Sequence, residues 1–149
     1  MGLDQYLYKR IYVGANYEHR KVTGKIELKV RDEPINIDLS KVNQITESAG
    51  YWRKANQIHA WMVENIQDGA DDCKEYLFDS DDRKKLYEAC KHVLNHRETG
   101  EAILPTQAGF FFGSTEYDDE YYQDLQDTIE ILEPTLDDFM NDYYYTSSW

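Results

Sequence analysis

The spacing of apolar residues changes along this chain, and each change marks a predicted element. Over roughly the first forty residues the period is two. Tyr6, Tyr8, Ile11 and Tyr12 form a β-prone aromatic segment. Ile26, Leu28 and Val30 alternate with polar residues, and so do Ile35, Ile37 and Leu39 beyond the turn signal Arg31-Asp32-Glu33-Pro34. Two such runs around a short polar turn predict an antiparallel hairpin whose polar face meets water. Val42 and Ile45 continue as a short extended segment.

The period then becomes helical. Trp52, Ala55, His59, Met62, Val63 and Ile66 share one arc, which predicts a helix over 49–67 that ends at Asp68-Gly69. Trp61 falls opposite that arc and needs a covering layer from elsewhere in the chain. Residues 73–78 read as a strand. Asp79-Ser80 supplies an N-cap for a second helix, carried by Leu86, Ala89, Cys90, Val93 and Leu94, to about Asn95. Residues 96–109 read as a loop, and Phe110-Phe111-Phe112 as a short buried strand. Thr115-Glu116-Tyr117-Asp118 resembles a capping box and opens a third helix that Pro134 stops. Its inner arc is Tyr121, Tyr122, Leu125, Thr128, Ile129 and Leu132, and Tyr143-Tyr144-Tyr145 reads as a last strand. The expectation is one α+β domain over 1–149, an N-terminal antiparallel hairpin or sheet with about three helices packed on a mixed sheet. At 149 residues it can bury a core without disulfides or metal.

Charge adds what periodicity does not show. The net charge is −13, yet residues 114–149 hold eleven acids and no Lys or Arg, while the remainder carries 18 acids and 16 bases. Glu116, Asp119, Glu120, Asp124, Asp127 and Glu130 are expected along the outer side of the third helix. Carboxylates four residues apart stand ~6 Å apart along a helix axis, near twice the ~3.4 Å rise per nucleotide of a strand. Such a face can present anions to a basic groove. It argues against direct nucleic-acid contact and against anionic membranes, which require bases.

No phosphate loop, dinucleotide fingerprint, nucleophile elbow or zinc-protease motif is present, so no catalytic residue, cofactor or metal is assigned. The helical pair His92 and His96 lacks further close-spaced ligands and reads as helix-end capping. The acidic run 68–72 lacks calcium-loop spacing and reads as a capping turn. Cys73 and Cys90 read as buried, reduced thiols, and the N-terminus lacks the basic and apolar regions of a signal peptide. Both point to a cytoplasmic protein. One constellation suggests a site. His59 and Asp118 lie on apolar arcs where polar groups need partners. Paired with each other, and with Arg53, Asn56 and Tyr121 nearby, they would form a small-ligand or nucleotide pocket with acid–base capability.

Met1-Gly2-Leu3-Asp4 with Tyr6-Leu7-Tyr8-Lys9-Arg10, Gly50 to Asn56 through Ile58-His59, and Leu104-Pro105-Thr106 with Gly109 to Thr115 resemble a family of small proteins encoded by bacteriophages and prophages of Gram-positive bacteria. The likeness covers most of residues 1–133, with Gln5 standing where relatives tend to carry Met. It implies a phage accessory protein in the bacterial host cytoplasm and brings no catalytic residues with it. Small acidic accessory proteins of phages often resemble inhibitors of host defence, some acting as DNA mimics. The expectation is therefore a non-enzymatic acidic inhibitor of a host protein with a basic nucleic-acid-binding surface, such as a CRISPR effector or restriction nuclease.

Overall fold

The computed structural model describes residues 2–14 and 16–149. The N-terminal β pattern becomes β1 (Asp4–Tyr12), followed by the hairpin β2 (Leu28–Val30) and β3 (Glu33–Ile35). Arg31 (φ 52°) and Asp32 (φ 64°) form its turn. Two successive left-handed residues are what a tight two-residue hairpin turn requires. Glu33 and Pro34 therefore belong to the strand, not the turn. The hairpin is a separate two-stranded sheet, and its Leu28, Val30 and Ile35 are exposed. The alternation marks the strands only around the turn, since Ile26 and Ile37 lie outside them and Leu39 opens a 3-10 turn, and it places no face of them in the core.

The main sheet has the order β4-β1-β6-β5, with β4 (Gln44–Arg53), β5 (Tyr76–Leu77) and β6 (Asp142–Ser148). Every neighbouring pair is antiparallel. The fold is α+β, and the sheet is antiparallel instead of mixed, because the C-terminal strand enters between β1 and β5 running against both. One face of the sheet contributes Leu7, Trp52, Tyr143 and Tyr145 to the core. The other carries tyrosines. Tyr6 lies 6.1 Å from Tyr8 and 5.5 Å from Tyr51, and the Arg10 guanidinium sits 4.1 Å over Tyr144 while pairing with Glu75.

The helix expected over 49–67 is only α1 (Asn56–Asn65), because residues 49–53 complete β4. Pairing along the whole of β1 outweighs the helical reading of that segment. Trp52 faces the core through strand alternation, so it coincides with the helical arc without belonging to it. The elements meet at Lys54, whose φ of 60° no helix or strand continues through. The Trp52 indole N–H donates to Thr128 Oγ1 at 2.9 Å and ties sheet to helix. Trp61 is covered by Phe78, with ring centroids 6.0 Å apart.

Downstream, α2 (Ser80–Asn95) is capped by the Asp79 side chain, which accepts from the Asp82 amide. The 96–109 segment contains the one-turn α3 (Gly100–Ile103) before α4 (Asp119–Leu132). The cap of α4 is Asp118, accepting from the Tyr121 amide at 3.1 Å, so the expected box at Thr115 is not the helix start. Pro134 lies in the 3-10 turn that follows α4. The three phenylalanines are not a buried strand: Phe110 is 93% exposed and Phe112 6%. Their segment is a bend between Gly109 and Gly113 that meets the sheet through the Leu3 amide, which donates to the Phe111 carbonyl. Cys90 is buried and Cys73 exposed, which corrects the expectation of two buried thiols. Buried Arg83 donates to the Phe78, Thr135 and Asp138 carbonyls and stacks 4.3 Å from Tyr143. Among the described residues no helix is long and apolar enough to cross a membrane.

The approach of α4 to the sheet requires a residue without a side chain at position 50. A Cβ on Gly50 would stand 2.4 Å from Ile131 Cγ2, an atom that branches next to the backbone and cannot swing away. Gly50→Ala is expected to lower unfolding free energy by about 1–3 kcal/mol through overpacking. Urea denaturation of the two proteins measures it, and equal midpoints would contradict this packing.

Candidate functional site

The end of β4, the start of α1, the loop after α3 and the start of α4 enclose a cleft of about 400 Å³. Its lining includes Arg53, Lys54, Asn56, Gln57, Thr106, Gly113 and Ser114 on one side, and Glu116, Asp118, Glu120, Tyr121, Gln123 and Asp124 on the other. The volume lies within the range of small-molecule sites, about 300–1,000 Å³.

One buried amide builds the loop side. Asn56 is 2% exposed. Its Nδ2 donates to the carbonyls of Phe112 at 3.0 Å and Ser114 at 2.8 Å, and its Oδ1 accepts from the Gln107 amide at 2.9 Å. A side chain with matched donors and acceptors can replace strand pairing in an irregular segment. Further bonds hold the same loop. The Thr106 hydroxyl donates to the Thr115 carbonyl at 2.9 Å, and the Tyr121 hydroxyl donates to the Leu104 carbonyl at 2.8 Å. Gly113, at φ 90°, passes close to Lys54, and a Cβ there would stand 3.1 Å from the Lys54 Cβ. The left-handed turn at Lys54 and the positive-φ turn at Gly113 thus face each other at the cleft.

The α4 side holds a carboxylate under tension. Gln57, 2% exposed, donates from Nε2 to Asp124 Oδ2 at 3.0 Å. Burial pushes the Asp124 carboxyl up to about 6; the negative charges of Asp127, Glu120 and Asp118 act in the same direction, and the Gln57 bond opposes them. An asparagine would accept the same bond without charge, so the carboxylate is not what packing asks for.

Four of the five expected pocket residues, Arg53, Asn56, Asp118 and Tyr121, do line this cleft. His59 does not, and the expected His59–Asp118 pair is absent. Asp118 is occupied as the α4 cap. His59 is fully buried on another side of α1, with Nδ1 2.8 Å from the Tyr145 hydroxyl and Nε2 3.1 Å from Asp71 Oδ2, the latter at ion-pair distance but outside hydrogen-bond geometry. The Trp149 indole N–H donates to the other Asp71 oxygen at 3.0 Å. This is a core histidine bonded through Nδ1 to Tyr145, with an acid from the 68–72 turn beside an Nε2 that makes no hydrogen bond. The six acids expected as one partner-binding stripe also divide. Glu116, Glu120 and Asp124 line the cleft, whereas Asp119, Asp127 and Glu130 lie outside its lining. Asp127 and Glu130 accept from Gln123 and Gln126 one turn earlier. Sequence reasoning missed Gln57, Lys54 and Ser114, whose signal was adjacency to Asn56, Arg53 and Gly113 respectively.

The rings of His92 and His96 lie 4.9 Å apart, and among the described residues no three of His, Cys, Asp and Glu gather as a metal site would need. No protein-family model, curated protein or solved structure matches this chain.

The Asp124 shift fixes a pH dependence. Below pH 3.8 the carboxyl is protonated in both folded and unfolded chains. Between about 4 and 6 the folded protein keeps a proton that the unfolded chain releases, so stability falls as pH rises through that window. Asp124→Asn removes this loss. The variant is expected to match the parent near pH 4 and to exceed it by about 1–2 kcal/mol at pH 7, below the full linkage value because the carboxylate is partly open to water. Denaturant titrations at both pH values measure the difference, and a parent as stable as the variant at pH 7 would contradict the assignment.

Proposed function

We propose that this protein is a non-enzymatic acidic inhibitor that engages the basic nucleic-acid-binding surface of a host defence protein, a CRISPR effector or restriction nuclease, in the bacterial host cytoplasm. One observation carries the reading: the negative charge of residues 114–149 stays uncompensated in three dimensions. Of its eleven acids, only Asp138 lies within ion-pair distance of a base among the described residues, Lys9 at 3.5 Å. Glu116, Asp119, Glu120 and Glu130 are exposed, and Asp127 is half-buried. An ordinary solvated helix would balance several of these with bases one turn away.

Uncompensated charge on a rigid helix raises the local potential and steers a basic partner into contact. The resemblance to phage-encoded proteins supplies the setting, and the fold supplies rigidity, because the inner arc of α4 is locked by Tyr121, Leu125, Thr128 and Leu132. Steering of this kind weakens with ionic strength.

Expression of the chain in a bacterium with an active CRISPR effector or restriction nuclease is expected to restore plaque formation by a targeted phage. Asp119→Lys, Asp127→Lys and Glu130→Lys together are expected to abolish that protection while leaving the circular dichroism spectrum unchanged, since none of the three lines the core. Protection undiminished by the triple reversal would remove α4 as the working surface. No protection against either class of defence would overturn the reading.

A further inference from the structure

We propose that the cleft between α1 and α4 is a binding site for a small two-ended ligand, its anionic end held by Arg53 and Lys54 and its guanidinium or ammonium end by Asp124. Glu116 and Glu120 border this site, whereas Asp119, Asp127 and Glu130 lie outside it, and it does not depend on any protein partner.

The assignment starts from how charge is arranged around the cleft. Arg53 and Lys54 come from the β4–α1 junction, and the carboxylates come from α4 and the segment before it. Although they share one cavity, neither base lies within ion-pair distance of a carboxylate among the described residues. Opposite charges that were present only to balance each other would close into pairs. Here they stay apart across a polar space, which suits a molecule carrying both signs. A purely anionic ligand meets the carboxylates, and a purely cationic one meets the two bases.

The floor is built for recognition. Asn56 and Gln57 are both 2% exposed, and their amides are spent on fixing the loop and orienting Asp124. Asp124 Oδ2 accepts from Gln57, which leaves Oδ1 for a donor entering the cleft. A guanidinium or ammonium there would restore the charge interaction that burial has stripped from this carboxylate, and charge-assisted bonds are the strong ones. The loop wall is held by side-chain bonds on both flanks, so the cavity exists before any ligand enters, and binding needs little ordering.

The test uses the whole protein and three probes: 4-guanidinobutyrate, which carries both charges, and butylguanidinium and butyrate, which each carry one. Binding is read by amide chemical-shift titration. 4-Guanidinobutyrate is expected to shift the amides of Gln57, Ser114 and Asp124 saturably, and each single-charge probe to bind at least about tenfold more weakly. Arg53→Gln and Lys54→Gln together should reduce the two-ended probe to the affinity of butylguanidinium, and Asp124→Asn to that of butyrate. An unchanged far-ultraviolet spectrum and a cooperative melting transition confirm that each variant is folded. Butylguanidinium binding as tightly as 4-guanidinobutyrate would overturn the two-ended assignment. Shifts confined to residues outside the cleft, or no saturable shift, would overturn the site.

Discussion

The cleft rests on the Asn56 amide. A loop that crosses from α3 to α4 without strand or helix pairing must place its backbone groups somewhere, and buried groups left without partners are costly. Asn56 accepts from Gln107 and donates to Phe112 and Ser114, so one side chain at the start of α1 takes the place of a neighbouring strand. With that loop fixed, Phe112 can pack edge-on against His59 at 5.3 Å, and Gly113 can pass Lys54. The left-handed turn at Lys54 puts Arg53 at the rim and Asn56 beneath it. Sheet, loop and helix meet there over a shared apolar core that includes Trp52, Ala55, Leu104 and Tyr121, and the local hydrogen bonds fix the path of the loop.

Electrostatics gives the molecule two distinct acidic features. The outward acids of α4 sit in water and shape a long-range field at little cost in stability. Asp124 is different, since burial pushes its carboxyl up to about 6 and makes its ionised form costlier than it is in water. Proteins commonly sacrifice stability where a site needs a particular charge. The two features differ in environment, the first solvated along α4 and the second set into the cleft.

Much of the fold was legible from spacing. β1, the hairpin, α2 with its Asp79 cap, α4 up to Pro134 and the final tyrosine strand follow from period and punctuation. The errors share a cause: local pattern could not see long-range pairing. Gly50 and Tyr51 look helical beside Trp52 until β1 is present to pair with them. Three phenylalanines look buried until two flanking glycines bend them so that Phe110 is exposed. The candidate site was half legible. Arg53, Asn56, Asp118 and Tyr121 were identified together because they were polar or amphipathic residues near apolar arcs. His59 was grouped with them on the same grounds, but its acid comes from Asp71, in a turn that looked like simple capping. Asp124 was read as outward because helical periodicity alone does not reveal that the cleft reaches that side of α4.

If the Asn56 amide holds the middle of the loop, then removing it should release the stretch around Gln107 and little else. Amide hydrogen exchange of Asn56→Ala against the parent tests this most directly. The account predicts that the Gln107 amide, which now donates to Asn56 Oδ1, loses protection in the variant, while the β1–β4 ladder from Tyr6 to Tyr12 keeps its own. A Gln107 amide as protected in Asn56→Ala as in the parent would contradict the account, because the loop would then be held by something other than this side chain.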